Sequence, residues 1–339
     1  MPPSPAAAAS DWFRRCDVSL QIKLDGVVLE LKDVSRAAGR EQVLNSVNLV
    51  MSRETPTAIV GLNAHERGAL LRVLSGADKP QSGSIRLGGK DIAQARREKG
   101  RVALIGGDAQ KKAKPGKGPG REQMIRASIA RARSDRAALV IIDAPATDLG
   151  LEAREAFIDG LKALCEGAGA VVVLLAGDAD EAMALGGQVV VLNRGDIVQV
   201  GPVADVFAHP ANLIAAVATS FPKLNTIAMT ARNGRGVLPD GSSFQPPEQL
   251  SLPEQGPCTV AFHPDDMTLE RAGAGCLRFI VRAAGDEIIG GRRFTRVTFA
   301  GSDWLTPQAA LVPHKGAILN AFVERTRLMA FDATGNAIG

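Results

Sequence analysis

The sequence predicts a two-part α/β protein: an α/β core with an antiparallel β subdomain attached, followed by a small all-β barrel domain. Three observations carry this reading. Short continuous apolar runs at residues 57–60, 102–105, 138–142 and 170–175 have the length and composition of parallel strands buried on both faces. Helical patterns intervene at about 67–75, 122–133, 151–165 and 179–186, the alternation of an α/β core. From about residue 222 the chain changes to short strands cut by Pro and Gly, a spacing that suggests a small barrel.

The ends and the composition set limits. At 339 residues the chain is long enough for two cores, and its 45% hydrophobic content with no span-length apolar run predicts a soluble globular protein. Residues 1–17 open on Met1-Pro-Pro-Ser-Pro-Ala, without the positive start and apolar stretch of a secretory signal, and are expected to be a disordered tail. Cys16, Cys165, Cys258 and Cys276 show no paired spacing, so reduced thiols are expected rather than a zinc site or a disulfide framework. Net charge is +4, and part of the excess is local: residues 111–121 carry five positive charges and no acid. That segment is expected to be a solvated loop, with RNA or anionic lipid as the alternative ligand. The absence of Tyr and the presence of only two Trp leave few stacking platforms, so specific nucleic-acid binding is not expected.

Element by element, Val18, Leu20, Ile22 and Leu24 alternate with polar residues and lead through Asp25-Gly26 into residues 27–31, a hairpin signal. A second antiparallel pair is expected over residues 83–92, turning at Gly88-Gly89, and a third over 189–200, turning at Asn193-Arg-Gly. A helix is expected at about 202–219. Strands follow at 243–247, 258–262, 277–283, 294–299, 317–322 and 327–331.

The segment after the first buried run is the most informative. Thr57-Ala-Ile-Val reads as a strand and Ala69-Leu-Leu-Arg-Val-Leu as a helix, with Gly61-Leu-Asn-Ala-His-Glu-Arg-Gly68 between them. This is the context of a phosphate-binding loop, G-x-x-x-x-G-K-[ST]. Only Gly61 agrees with the motif. Glu66 stands at its second glycine, Arg67 at its lysine and Gly68 at its hydroxyl residue.

Further stretches carry a resemblance: Leu29-Glu-Leu-Lys-Asp-Val-Ser, Val43-Leu-Asn-Ser-Val-Asn-Leu, Leu70-Leu-Arg-Val-Leu-Ser-Gly followed by Pro80-Gln-Ser-Gly-Ser-Ile, and Ala138-Leu-Val-Ile-Ile-Asp-Ala-Pro. Glu181-Ala-Met-Ala-Leu, residues 189–202, Val260-Ala-Phe-His-Pro-Asp-Asp-Met and Arg327-Leu-Met-Ala-Phe-Asp continue it. In order and spacing, over about residues 28–335, the chain resembles the ATP-binding subunit of an ABC transporter of the carbohydrate-importer (maltose/glycerol-phosphate) type. The resemblance implies a P-loop NTPase (RecA-like) core over 18–221 and an OB-like regulatory β domain over 222–339.

It also implies where chemistry should sit, and most of those places are altered. Ala38 stands at the adenine-stacking aromatic. Ala64 and Glu66 stand where glycines let backbone N–H groups converge on phosphate, so φ > 0 is expected at non-glycine residues, at roughly 1–2 kcal/mol each. Gly68 lacks the hydroxyl that holds Mg²⁺. Gly106 falls near the Q-loop glutamine. Pro119-Gly-Arg-Glu-Gln123 replaces the LSGGQ signature, with Gln123 alone agreeing. Asp143 retains the Walker B carboxylate, while Ala144 stands at the catalytic glutamate, Gly150 at the D-loop aspartate and Gly177 at the switch histidine. The catalytic set is therefore expected to be empty. A vestigial nucleotide site is expected from Gly61, Asn63, Arg67, Gly68, Ala69 and Asp143, with Asp143 as the residue for Mg²⁺ and ATP and Mg²⁺ bound weakly or not at all. Residues 106–118 are too short and too rich in Lys, Gly and Pro for the helical subdomain that docks membrane subunits.

These readings converge on a catalytically impaired structural or regulatory subunit of a carbohydrate or polyol importer with little or no ATP hydrolysis. An active ATPase with divergent motifs and a soluble ligand-sensing scaffold, with His263 and Asp265 near a strand end, are the alternatives. The implied partners are a second copy or an intact ATPase subunit, and membrane permease subunits. The implied location is cytoplasmic, peripheral at the inner face of the cell membrane.

Overall fold

The computed structural model describes residues 28–106, 121–143, 151–167, 169–270, 273, 275–309 and 312–338. The chain divides into two compact units, Met1–Val206 and Phe207–Gly339. The first runs β1 (Val28–Ala38), β2 (Glu41–Ser52), β3 (Thr57–Val60), α1 (Ala64–Leu74), β4 (Ser82–Leu87), β5 (Lys90–Asp91) and α2 (Ile92–Arg97). It continues with β6 (Val102–Gly106), α3 (Arg121–Ser134), β7 (Leu139–Asp143), α4 (Leu151–Gly167), β8 (Val171–Leu175), α5 (Ala179–Leu185), β9 (Gln188–Asn193), β10 (Asp196–Pro202) and α6 (Val203–Ala208).

Two sheets form this unit. Apolar runs unbroken by polar residues go to a six-stranded sheet ordered β10-β9-β3-β8-β7-β6, parallel except for the β10–β9 pair. Every residue of β3 and β8 is buried, which is why those runs show no alternation. Alternating segments form the antiparallel subdomain, ordered β2-β1-β4-β5. The apolar stripe of α1, Leu70, Val73 and Leu74, shares one core with Leu29, Leu31 and Ile85 of that subdomain and with Ile59, Ile141 and Val173 of the parallel sheet.

The α/β class with an antiparallel subdomain is as the sequence predicts, and so are two hairpins. Gly88 and Gly89 turn β4 into β5, and Arg194 (φ +51°) and Gly195 (φ +90°) turn β9 into β10. The Asp25-Gly26 hairpin, the 1–17 tail and Cys16 lie outside the described residues. Of the hairpin's second strand, Leu29 already pairs with Met51 on one side and Leu87 on the other, so both of its edges are taken. The single helix expected at 202–219 is instead two, α6 and α7 (Leu213–Ala218). Pro210 cannot donate to a helical ladder and biases His209 away from helical geometry, and Asn212 then caps the new helix by accepting from the Ala215 N–H at 2.9 Å.

The second unit contains α7, β11 (Asn225–Arg232), β12 (Arg235–Val237), β13 (Ser243–Phe244), β14 (Gln255–Phe262) and β15 (Met267–Thr268). Then come β16 (Cys276–Ile289), β17 (Arg292–Phe299), β18 (Ser302–Pro307), β19 (Ile318–Glu324) and β20 (Met329–Phe331). They form two five-stranded antiparallel sheets, ordered β13-β12-β11-β14-β20 and β15-β19-β16-β17-β18. The core is aromatic: Trp304 lies 5.2 Å edge-on from Phe262, 5.1 Å edge-on from Phe279 and 4.9 Å stacked on Phe299. Its indole N–H donates to the Thr226 carbonyl at 2.9 Å, and Asn225 donates to and accepts from the Leu305 backbone, so the two sheets are tied by polar as well as apolar contacts. The composition change falls at residue 222, whereas the contacts divide at Val206/Phe207. The difference is α7, whose Ala216 clusters with Leu224, Ala261 and Phe331.

Candidate functional site

The retained motif positions gather at the carboxyl edge of the parallel sheet, where ligands of such sheets bind. Gly61 follows β3, Gly106 ends β6 opposite Asp143, and Asp143 ends β7 opposite Leu175 of β8. Gly177 follows two residues beyond Leu175. Gly61 has φ +87°, and a Cβ there would stand 2.2 Å from the Leu192 carbonyl oxygen, so the tight exit from β3 requires glycine.

The loop departs from expectation immediately afterwards. The helix begins at Ala64 rather than near residue 67, with Asn63 as its N-cap. The Asn63 Oδ1 accepts from the N–H groups of His65 and Glu66, both at 2.9 Å, and the Glu66 carboxylate accepts from the Asn63 N–H at 2.8 Å. This is a reciprocal capping box. Ala64 and Glu66 are helical, and neither has the positive φ expected of them, so the predicted strain is absent. The reason is geometric: without glycines to hold an open loop, the backbone winds one turn of helix early and satisfies its own donors.

Two further contacts close the site. The Arg67 Nε donates to Asp143 Oδ1 at 3.3 Å and its Nη1 to the Leu62 carbonyl at 3.3 Å. The retained cation is thereby spent on the retained carboxylate. Gly68 faces open space, and Ala69 packs on the core of its unit. Around Gly177, the N–H donates to the buried Glu181 carboxylate at 2.8 Å. Asp178 Oδ1 caps α5 through the Glu181 N–H at 2.8 Å and accepts from Arg154 Nη2 at 2.9 Å. Position 177 thus carries no titratable side chain, and its loop is pinned by neighbouring carboxylates.

Of the six residues expected at a nucleotide site, the structure brings Arg67 to Asp143 and uses Asn63 as the cap of α1; Gly61 follows β3, Gly68 faces open space and Ala69 packs on the core. Ala38 sits at the β1–β2 turn, partly buried, without an aromatic neighbour role. Gln123 lies on α3. Ala144, Gly150, Pro119 and Lys111 to Lys117 lie outside the described residues. Glu66, Arg154, Asp178 and Glu181 were not anticipated as structural partners. Their signal was present as Asn63-x-x-Glu66 and Asp178-x-x-Glu181, both capping patterns. In the second unit, Asp265 makes a two-pronged ion pair with Arg292, and His263 Nδ1 lies 3.3 Å from Ser220 Oγ, a self-satisfied turn. Among the described residues no three His, Cys, Asp or Glu side chains gather as metal ligands, and no helix is long and apolar enough to cross a membrane.

No protein-family model matches the chain. Curated relatives do. The Fe(3+) ions import ATP-binding protein FbpC of Mannheimia succiniciproducens is 23% identical over 289 residues, covering 72% of this chain and 81% of that protein. The sulfate/thiosulfate import ATP-binding protein CysA 2 of Chromobacterium violaceum is 24% identical over 302 residues, covering 78% and 81%. The putrescine transport ATP-binding protein PotG of Escherichia coli is 22% identical over 296 residues, covering 74% and 78%. By their names these relatives are import or transport ATP-binding proteins, and this chain is similar to them over about three quarters of its length. Among solved structures, cbiO1 from Clostridium perfringens, part of the ABC transporter complex cbiONQ, aligns with a TM-score of 0.47 at 18% identity, covering 54% of this chain and 92% of that one.

Proposed function

We propose that this chain is a non-hydrolysing or weakly hydrolysing counterpart of an importer ATP-binding subunit, acting as a structural or regulatory subunit. The observation that carries the reading is the self-capped start of α1. In a working loop, unpaired N–H groups converge on phosphate. Here Asn63 and Glu66 side chains take three of those N–H groups, and Glu66 adds a negative charge where a triphosphate would lie. Arg67 holds Asp143, the residue that would organise the metal shell, and Gly68 offers no hydroxyl to it. The residues at hand fit Mg-ATP poorly.

The carbohydrate assignment rested on the resemblance of the C-terminal strands. The relatives named above serve iron, sulfate/thiosulfate and putrescine import by their names, so the cargo we propose is broader, a small solute taken up by an importer. The scaffold would pair with an intact ATPase subunit, or with a second copy, beside membrane permease subunits. Phosphate release from the purified chain with Mg-ATP tests the reading. Turnover is expected at background and unchanged by Asp143→Asn. Turnover at an ordinary ATPase rate that Asp143→Asn abolishes would overturn it in favour of an active subunit with divergent motifs.

A further inference from the structure

We draw no further inference here: the strongest candidate, the surface patch around the exposed Ile280 and Ile318 on the outer face of the β15-β19-β16-β17-β18 sheet, mixes Arg278, Arg282 and Arg296 with Glu287, Asp303 and Glu324, and nothing in the structure shows what covers it.

Discussion

At the scale of single residues, the decisive one is Glu66, which is 8% exposed and hydrogen-bonded to the main chain. A carboxylate there performs the accepting role of a bound anion without a ligand, and Arg67 and Asp143 neutralise each other beside it. The sequence identified all three as departures or remnants, but it did not say that they compensate one another. That needed the early start of the helix. A second residue-scale arrangement concerns stability. The carboxyl of Asp78 is held below the ordinary aspartate value of 3.8 first by its hydrogen bond from Arg72, which outweighs the opposing penalty of burial, and then by the lesser effects of the charges of Arg72 and Arg36. A lowered folded-state pKa gives stability that is fully present above the unfolded value and disappears as pH falls through the folded one. Urea midpoints measured from pH 6 down to pH 2 should therefore fall below about pH 4, and less steeply in Asp78→Asn. An identical slope in the variant would show that this cluster contributes nothing to acid sensitivity.

At the scale of elements, the parallel strands were legible because burial on both faces leaves an uninterrupted apolar run, and the two glycine-turned hairpins because φ > 0 narrows the choice of residues. The start of α1 was misread because an alignment to a glycine-rich loop assigns backbone geometry that Ala64 and Glu66 do not favour. The local pattern Asn63-x-x-Glu66 before an apolar stripe pointed instead to a cap. Strands β11, β12, β15 and β18 were missed for another reason: their meaning depends on partners, such as Thr226 with Trp304, that lie far away in sequence. The two ends of the loop make opposite predictions. Gly61→Ala places a Cβ against the Leu192 carbonyl oxygen at φ +87° and should destabilise by about 1–3 kcal/mol or more. Gly68→Ala fills open space inside a helix and should stabilise by up to about 1 kcal/mol. Thermal or urea unfolding distinguishes them, and destabilisation by Gly68→Ala would contradict a helix that already includes residue 68.

At the scale of the whole molecule, the first unit joins a mostly parallel six-stranded sheet to an antiparallel subdomain, and the second packs two antiparallel sheets on an aromatic core. The edge where Gly61, Gly106, Asp143 and Gly177 meet is organised by the protein's own caps and ion pairs, so its shape does not wait on a ligand. Restoring the motif should reverse this: Glu66→Gly with Arg67→Lys and Gly68→Ser removes the internal carboxylate, frees Asp143 and supplies the hydroxyl. Isothermal titration of both proteins with Mg-ATP measures the central claim directly. The account predicts no detectable binding heat for the natural chain and micromolar affinity for the restored one. Micromolar binding by the natural chain, with Glu66 and Arg67 in place, would contradict it.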